Sequence, residues 1–211
     1  MTSQKTLKEQ NSKLIWTFFA FNAILLYVLA FSPIIDISDL DWKEFISIRG
    51  IWLLIIPLVL FILNGLLSSN QKASICFWRL KHPLPGCRAF SVYMNKDDRI
   101  DKKHLNSSHN ALPELPQEQN AIWYKMYKAH QEESLVKKSH KDFLLARDIC
   151  SISLLFLLIG GSSSLFLIEG TVKWAYIGFA LLQYLVLALV TQNHGKRFVC
   201  NVLAIETSKT A

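Results

Sequence analysis

The chain has 211 residues, of which 51% are hydrophobic, with a formal net charge of +7 and a mean hydropathy of +0.25. Its charged residues gather in separate segments between long apolar runs, which excludes an ordinary water-soluble domain with charge scattered over its surface. A bilayer, not a large core, accounts for the apolar content.

Residues 1–13 carry Lys5, Lys8 and Lys13 against Glu9. The first apolar run, residues 14–35, exceeds the roughly 7–15 residues of a signal-peptide core, and Phe31, Ser32, Pro33, Ile34 and Ile35 make a poor cleavage site. It reads as a retained span. Trp16 and Tyr27 lie toward its ends, and Asn22 and Thr17 are its polar members. An amide in hydrocarbon usually finds a neighbouring helix, so Asn22 marks a packing face. Residues 36–50 are acidic, with Asp36, Asp39, Asp41 and Glu44 against Lys43 and Arg49. In the second run, residues 51–67, Pro57 removes a backbone donor and should kink the helix, while Asn64 and Gly65 follow near its end. The first membrane hairpin is thus residues 14–68.

Residues 69–147 form a basic insert with fourteen Lys and Arg against eight Asp and Glu. Within it, residues 74–94 hold two short aromatic stretches punctuated by Pro83, Pro85 and Gly86, a pattern that predicts strand, turn, strand. Residues 95–120 are polar and predict loop with little helix. From Gln117 to Ile159 no Gly or Pro interrupts, and Trp123, Met126, Tyr127, His130, Leu135, Phe143 and Leu144 fall on one helical face. This predicts one helix that runs, with at most a bend, into the third span.

The third and fourth runs, residues 149–168 and 172–190, make a second hairpin within residues 148–192. Apart from Lys173 at the start of the fourth, the four runs contain no Asp, Glu, Lys or Arg, and each is close to the ~20 residues that cross a bilayer. Gly160, Gly161 and Ser162 to Ser164 let a partner backbone approach; Gly178, Ala180, Gln183 and Tyr184 are the small and polar members of the fourth. Pro57, Asn64, Gly160, Gly161 and Gln183 are therefore candidate packing positions, or gating positions if several copies assemble around a wet path. After Asn193, Lys196 and Arg197 precede Phe198, Val199, Val202 and Leu203, an amphipathic tail (residues 193–211) that lies at the headgroups or packs on the insert.

Lys and Arg are retained on the cytoplasmic side, so both termini and the insert are expected in the cytosol of a multi-pass protein of the cell inner membrane. The expected class is an all-α membrane protein with four transmembrane helices, two on each side of a small mixed α/β insert. Cys76, Cys87, Cys150 and Cys200 then sit in or beside a reducing compartment, which disfavours disulfides. With His82 or His104, the spacings of Cys76 and Cys87 match no zinc pattern, and no metal or other cofactor is implied.

The sequence holds no HExxH, GxSxG or P-loop and no Asp, Glu, Lys, Arg or His in the middle of a run, so catalytic residues are none and a proton-coupled transporter loses weight. A lipid-headgroup enzyme would have only His82 and His104 to work with. The insert does interleave cations with aromatics, including Arg79, Lys81 and Arg88 in its first half and Trp123 and Tyr127 in its second. Guanidinium forks hold phosphate and rings stack on bases, which makes a nucleotide or nucleic acid a candidate ligand of these five residues. Attraction of cytosolic cations to anionic lipid accounts for the same composition.

RLKHPLPGCRAFS, QNAIWYKMYK, FLLARD and GKRFVCNVL, with the two-plus-two layout, resemble small multi-pass effector proteins that bacteria encode beside antiviral systems such as retrons or nucleotide-signalling synthases. The resemblance implies a homo-oligomeric component that disrupts or permeabilises the inner membrane, restrained by a cytosolic protein encoded nearby until infection is sensed. It carries over no catalytic or ligand residue. The competing expectation is a non-enzymatic membrane scaffold whose basic insert recruits a cytosolic protein or nucleic acid.

Overall fold

A computed structural model describes residues 6–31, 48–108 and 112–209, and among them the chain contains helices but no strand. In chain order these are α1 (Leu7–Phe31), α2 (Ile48–Leu66), α3 (Ser69–Phe77), α4 (Lys102–Ser108), α5 (Pro116–His130), α6 (Ser134–Leu155), α7 (Gly161–Leu167) and α8 (Val172–Lys209). A π-helical turn, Phe156–Gly160, joins α6 to α7, so that Ser134–Leu167 is one rod of 34 residues. Three helices are long and apolar enough to cross a membrane: Glu9–Ala30, Ser134–Leu167 and Val172–Ser208. A fourth crossing requires α2 and α3 together, which are bent by 105° at their junction. The acidic segment between the first two runs lies largely outside the described residues.

The sharp bend after α2 has a local cause. Ser68 is extended, at φ −67° and ψ 161°, and its hydroxyl accepts from the Gln71 amide while Gln71 Oε1 accepts from the Ser68 amide. This capping box starts a new helix in a new direction. At its far end Trp78 adopts a left-handed φ of 53°, closing α3. Two side chains of α8 then occupy carbonyls of α3: Tyr184 donates to Ile75 O at 2.9 Å and Gln192 donates to Cys76 O at 2.9 Å. Helix ends leave such carbonyls without intrahelical partners, so these bonds fix α3 across α8.

The buried side chains form two clusters. One lies between the spans and includes Phe19, Leu26, Leu60, Ile152, Phe156 and Tyr176. The other is a headpiece core around Phe77, Phe90, Trp123, Phe143, Phe198 and Leu203. Because α8 is 38 residues, about 57 Å at 1.5 Å per residue, it serves both.

Three expectations change on this structure, and one open alternative is decided. Residues 74–94 are not strand, turn, strand, and no mixed α/β insert is present among the described residues: Ser74–Phe77 completes α3, and Pro85–Arg88, Ala89–Tyr93 and Met94–Lys96 are successive 3₁₀, π and 3₁₀ turns. Their buried members, Ala89, Phe90 and Tyr93, recur at helical and not alternating spacing. The polar stretch 95–120 contains α4, anchored by fully buried Leu105 and opened by Asp101, whose carboxylate accepts from the Lys103 and His104 amides. The long helix breaks at residues 131–133, where α5 and α6 fold into a hairpin that brings Tyr127 OH 3.1 Å from His140 Nδ1. Of the two courses open to the tail, the headgroups or the insert, it takes the second: it is the end of α8, with Phe198, Val199, Val202 and Leu203 inside the headpiece core.

Candidate functional site

Two cavities bring charged side chains together with aromatic rings, one inside the headpiece and one where the headpiece meets the spans. The first is about 380 Å³ and lies between the 3₁₀ turn at Pro85, α5, α6 and α8. Its walls are aromatic. Phe198 stacks on His140 at 4.7 Å between ring centroids and meets Trp123 edge-on at 5.1 Å and Tyr127 at 5.3 Å. Gly86 is required here, because a Cβ would stand 2.5 Å from both Asn120 Oδ1 and Trp123 Cε3. The Trp123 indole N–H is buried without a partner, and Lys128 and Arg147 border the opening. His140, nine residues before the apolar stretch begins at Ile149, is held down to about 4 by burial and then by the Arg147 and Lys128 charges. It is therefore neutral at physiological pH.

Of the five residues expected to bind a ligand, Trp123 and Tyr127 line this cavity, whereas Arg79, Lys81 and Arg88 do not. Arg79 and Lys81 lie on the exposed loop after α3. Arg88 turns inward, its guanidinium 5.3 Å from the Phe77 ring centroid and 5.4 Å from that of Tyr93. Its Nε and Nη2 are buried without partners, and desolvation lowers its pKa from the usual value. His130, on the same helix as Trp123, bonds Glu206 of α8 at 2.6 Å.

The second cavity, about 310 Å³, opens among α1, α2, α3 and α6. At its polar end Asp148 Oδ1 accepts from Lys72 Nζ at 3.3 Å and from Arg147 Nε and Nη2 at 3.3 and 3.2 Å. Lys72 and Asp148 are 6% and 3% exposed, which places charge in a desolvated position where pairing is essential. At its apolar end Trp16 stacks on Phe61 at 5.1 Å. Asn11 fastens α1 beside the cavity by donating to Lys141 O at 2.8 Å.

No family model, curated protein or solved structure matches this chain.

The residues expected to pack or gate divide by position. Pro57 lies inside α2, and Asn64 lines the second cavity with its buried Oδ1 lacking a partner. Gly160 sits under Tyr176, whose OH would be 2.5 Å from an added Cβ, and Gly161 faces Ile177 at 3.8 Å. Both glycines thus bring the π-turn against α8 within one chain. Gln183 Oε1, on α8, is also buried and without a partner. Among the described residues no three of His, Cys, Asp and Glu converge, and Cys76, Cys87, Cys150 and Cys200 are free and buried.

Sequence reasoning missed Lys72, Arg147, Asp148, His140 and Phe198 as site residues. Lys72 and Asp148 are 76 positions apart, so nothing local announces the pair. The one available signal was position: charged residues at the last turn before a span and the first turn after one.

Proposed function

We propose that this chain is a membrane effector of a bacterial antiviral system, held in the inner membrane with headpiece and termini in the cytosol. A trigger received by the headpiece rearranges the spans and permeabilises the membrane, aborting the infection. One observation supports this reading above others: α6 to α7 and α8 run from the headpiece core into the apolar spans without a loop. Packed helices have few alternative arrangements, so a displacement of α5 on α8, across the His130 and Glu206 bond, moves the membrane ends of the same rods. The aromatic cavity between α5, α6 and α8 is where a small trigger acts, and Trp123 and Tyr127 are its contacts. Assembly of several copies supplies the path through the bilayer, since within one chain Gly160 and Gly161 are occupied in packing.

The test is induced expression with a membrane-potential dye, with and without the neighbouring genes. Depolarisation on release from the restraining partner supports the reading. Unchanged potential and normal growth in every combination overturns it.

A scaffold remains the second reading because of the segment that closes α3, in which Trp78 is 53% exposed and Leu80, between Arg79 and Lys81, is 94% exposed. Charge reversal at the exposed Arg79 and Lys81 would then abolish recovery of a cytosolic partner while span substitutions would not.

A further inference from the structure

We propose that the cavity among α1, α2, α3 and α6 is a binding site for the phosphodiester headgroup of an anionic phospholipid. The inference goes beyond the effector reading and does not depend on membrane permeability being the output.

Donor capacity is the first argument. The cavity wall carries two cationic side chains, Lys72 and Arg147, beside the carboxylate of Asp148, and the Arg147 guanidinium gives that carboxylate only its Nε and Nη2. A phosphodiester is an anion whose two free oxygens suit such a fork. The three bonds reaching Asp148 Oδ1, at 3.2 to 3.3 Å, are longer than the roughly 2.7–2.9 Å of strong charge-assisted bonds. One oxygen shared three ways leaves the guanidinium fork able to turn toward a second anion.

The neighbouring groups suit the same ligand. Ser69, first residue of the nine-residue α3, lines the cavity, so the positive end of that helix faces it. The unpartnered Asn64 Oδ1 is an acceptor and fits the hydroxyl of a glycerol headgroup. Away from the charges, Trp16 and Phe61 are stacked and only half buried, at 51% and 49% exposure, with exposed apolar neighbours Leu14, Leu58 and Ile62 on the same helices. Rings in this position are where the glycerol backbone and first methylenes of a lipid would lie. The volume, about 310 Å³, is in the ~300–1,000 Å³ range of sites that hold small ligands.

The experiment uses the full chain in mild detergent and measures binding of short-chain phosphatidylglycerol, short-chain phosphatidylcholine and inorganic phosphate, with bound lipid counted by native mass spectrometry. Phosphatidylglycerol is expected to bind at least tenfold tighter than phosphatidylcholine, with inorganic phosphate silent at millimolar concentration. Lys72→Gln and Arg147→Gln each remove one cation from the wall while leaving Asp148 its other partner, so both are expected to fold and to lose the tenfold preference. Should either fail to fold, Phe61→Ala, at a half-exposed ring, lowers affinity for the lipid without disturbing the charges. Equal binding of the two lipids, inorganic phosphate binding as tightly as the lipid, or an unchanged preference in folded Lys72→Gln and Arg147→Gln would overturn the proposal. Lipid preference without depolarisation in cells would retain this site and remove only the effector reading.

Discussion

Substituting Gly195 by alanine tests whether α8 holds span and headpiece in one packed body. A Cβ at Gly195 would stand 2.6 Å from Phe77 Cζ and 3.3 Å from Phe143 Cε2. Both rings are nearly inaccessible, at 6% and 5% exposure, so neither has space to retreat. Overpacking of this kind costs about 1–3 kcal/mol. Alanine also raises helix propensity by about 0.8–1 kcal/mol, and that gain must be removed from the comparison. Gly178 in the same helix supplies the control, since an added Cβ there meets nothing within 4 Å. The difference between Gly195→Ala and Gly178→Ala therefore isolates packing, about 1–3 kcal/mol, or roughly 2–12 °C in melting temperature for a chain of this size. The four buried free cysteines make a thiol-reactive fluorophore a direct reporter of unfolding in detergent. Gly195→Ala melting at or above Gly178→Ala would refute the close approach of α8 to α3 and α6.

Ser68→Ala removes the hydroxyl that accepts from the Gln71 amide, and a loss of about 1 kcal/mol is expected in the same melting assay. His140 makes the headpiece sensitive to acid. Its folded pKa, about 4, lies below the ordinary value of 6.5, so between these values the unfolded chain binds a proton that the folded chain does not. Stability is therefore full above pH 6.5 and falls as pH drops toward 4, by at most about 3 kcal/mol before allowance for partial exposure. His140→Phe keeps the ring stacked on Phe198, 4.7 Å away, and should flatten the pH dependence of melting over that window; an unchanged slope would assign the acid sensitivity elsewhere.

Reading the sequence alone recovered the elements whose cause is local. Long uncharged runs have few ways to be solvated, and α1, α6 to α7 and α8 are indeed long and apolar enough to cross a membrane. The helical face of Trp123, Met126 and Tyr127 is likewise encoded in its spacing, and Trp123 and Met126 are buried. Residues 74–94 were misread because Phe, Trp, Tyr and Val favour strands in isolation, whereas here tertiary packing of Phe77, Phe90 and Tyr93 in the core decides. The Ser68 and Gln71 capping-box pattern stands in the chain at the start of α3 but was not read as a helix start. The break at residues 131–133 has no Gly or Pro to betray it; it depends on α5 and α6 each packing on α8, with Glu133 N donating to His130 O at 3.0 Å. Nor does the linear order disclose that Lys72, Arg147 and Asp148 meet, since that contact exists only once α3 is turned across α6.

The effector reading and the lipid site both place the basic headpiece against the inner face of the membrane. Paired reporter fusions after Ser69 and after Ala211, one set fluorescent only in the cytosol and one enzymatically active only outside it, measure this directly. Cytosolic signal and silent external reporters at both positions are the predicted result. External activity at both, or recovery of the whole protein from the soluble fraction, would contradict the account.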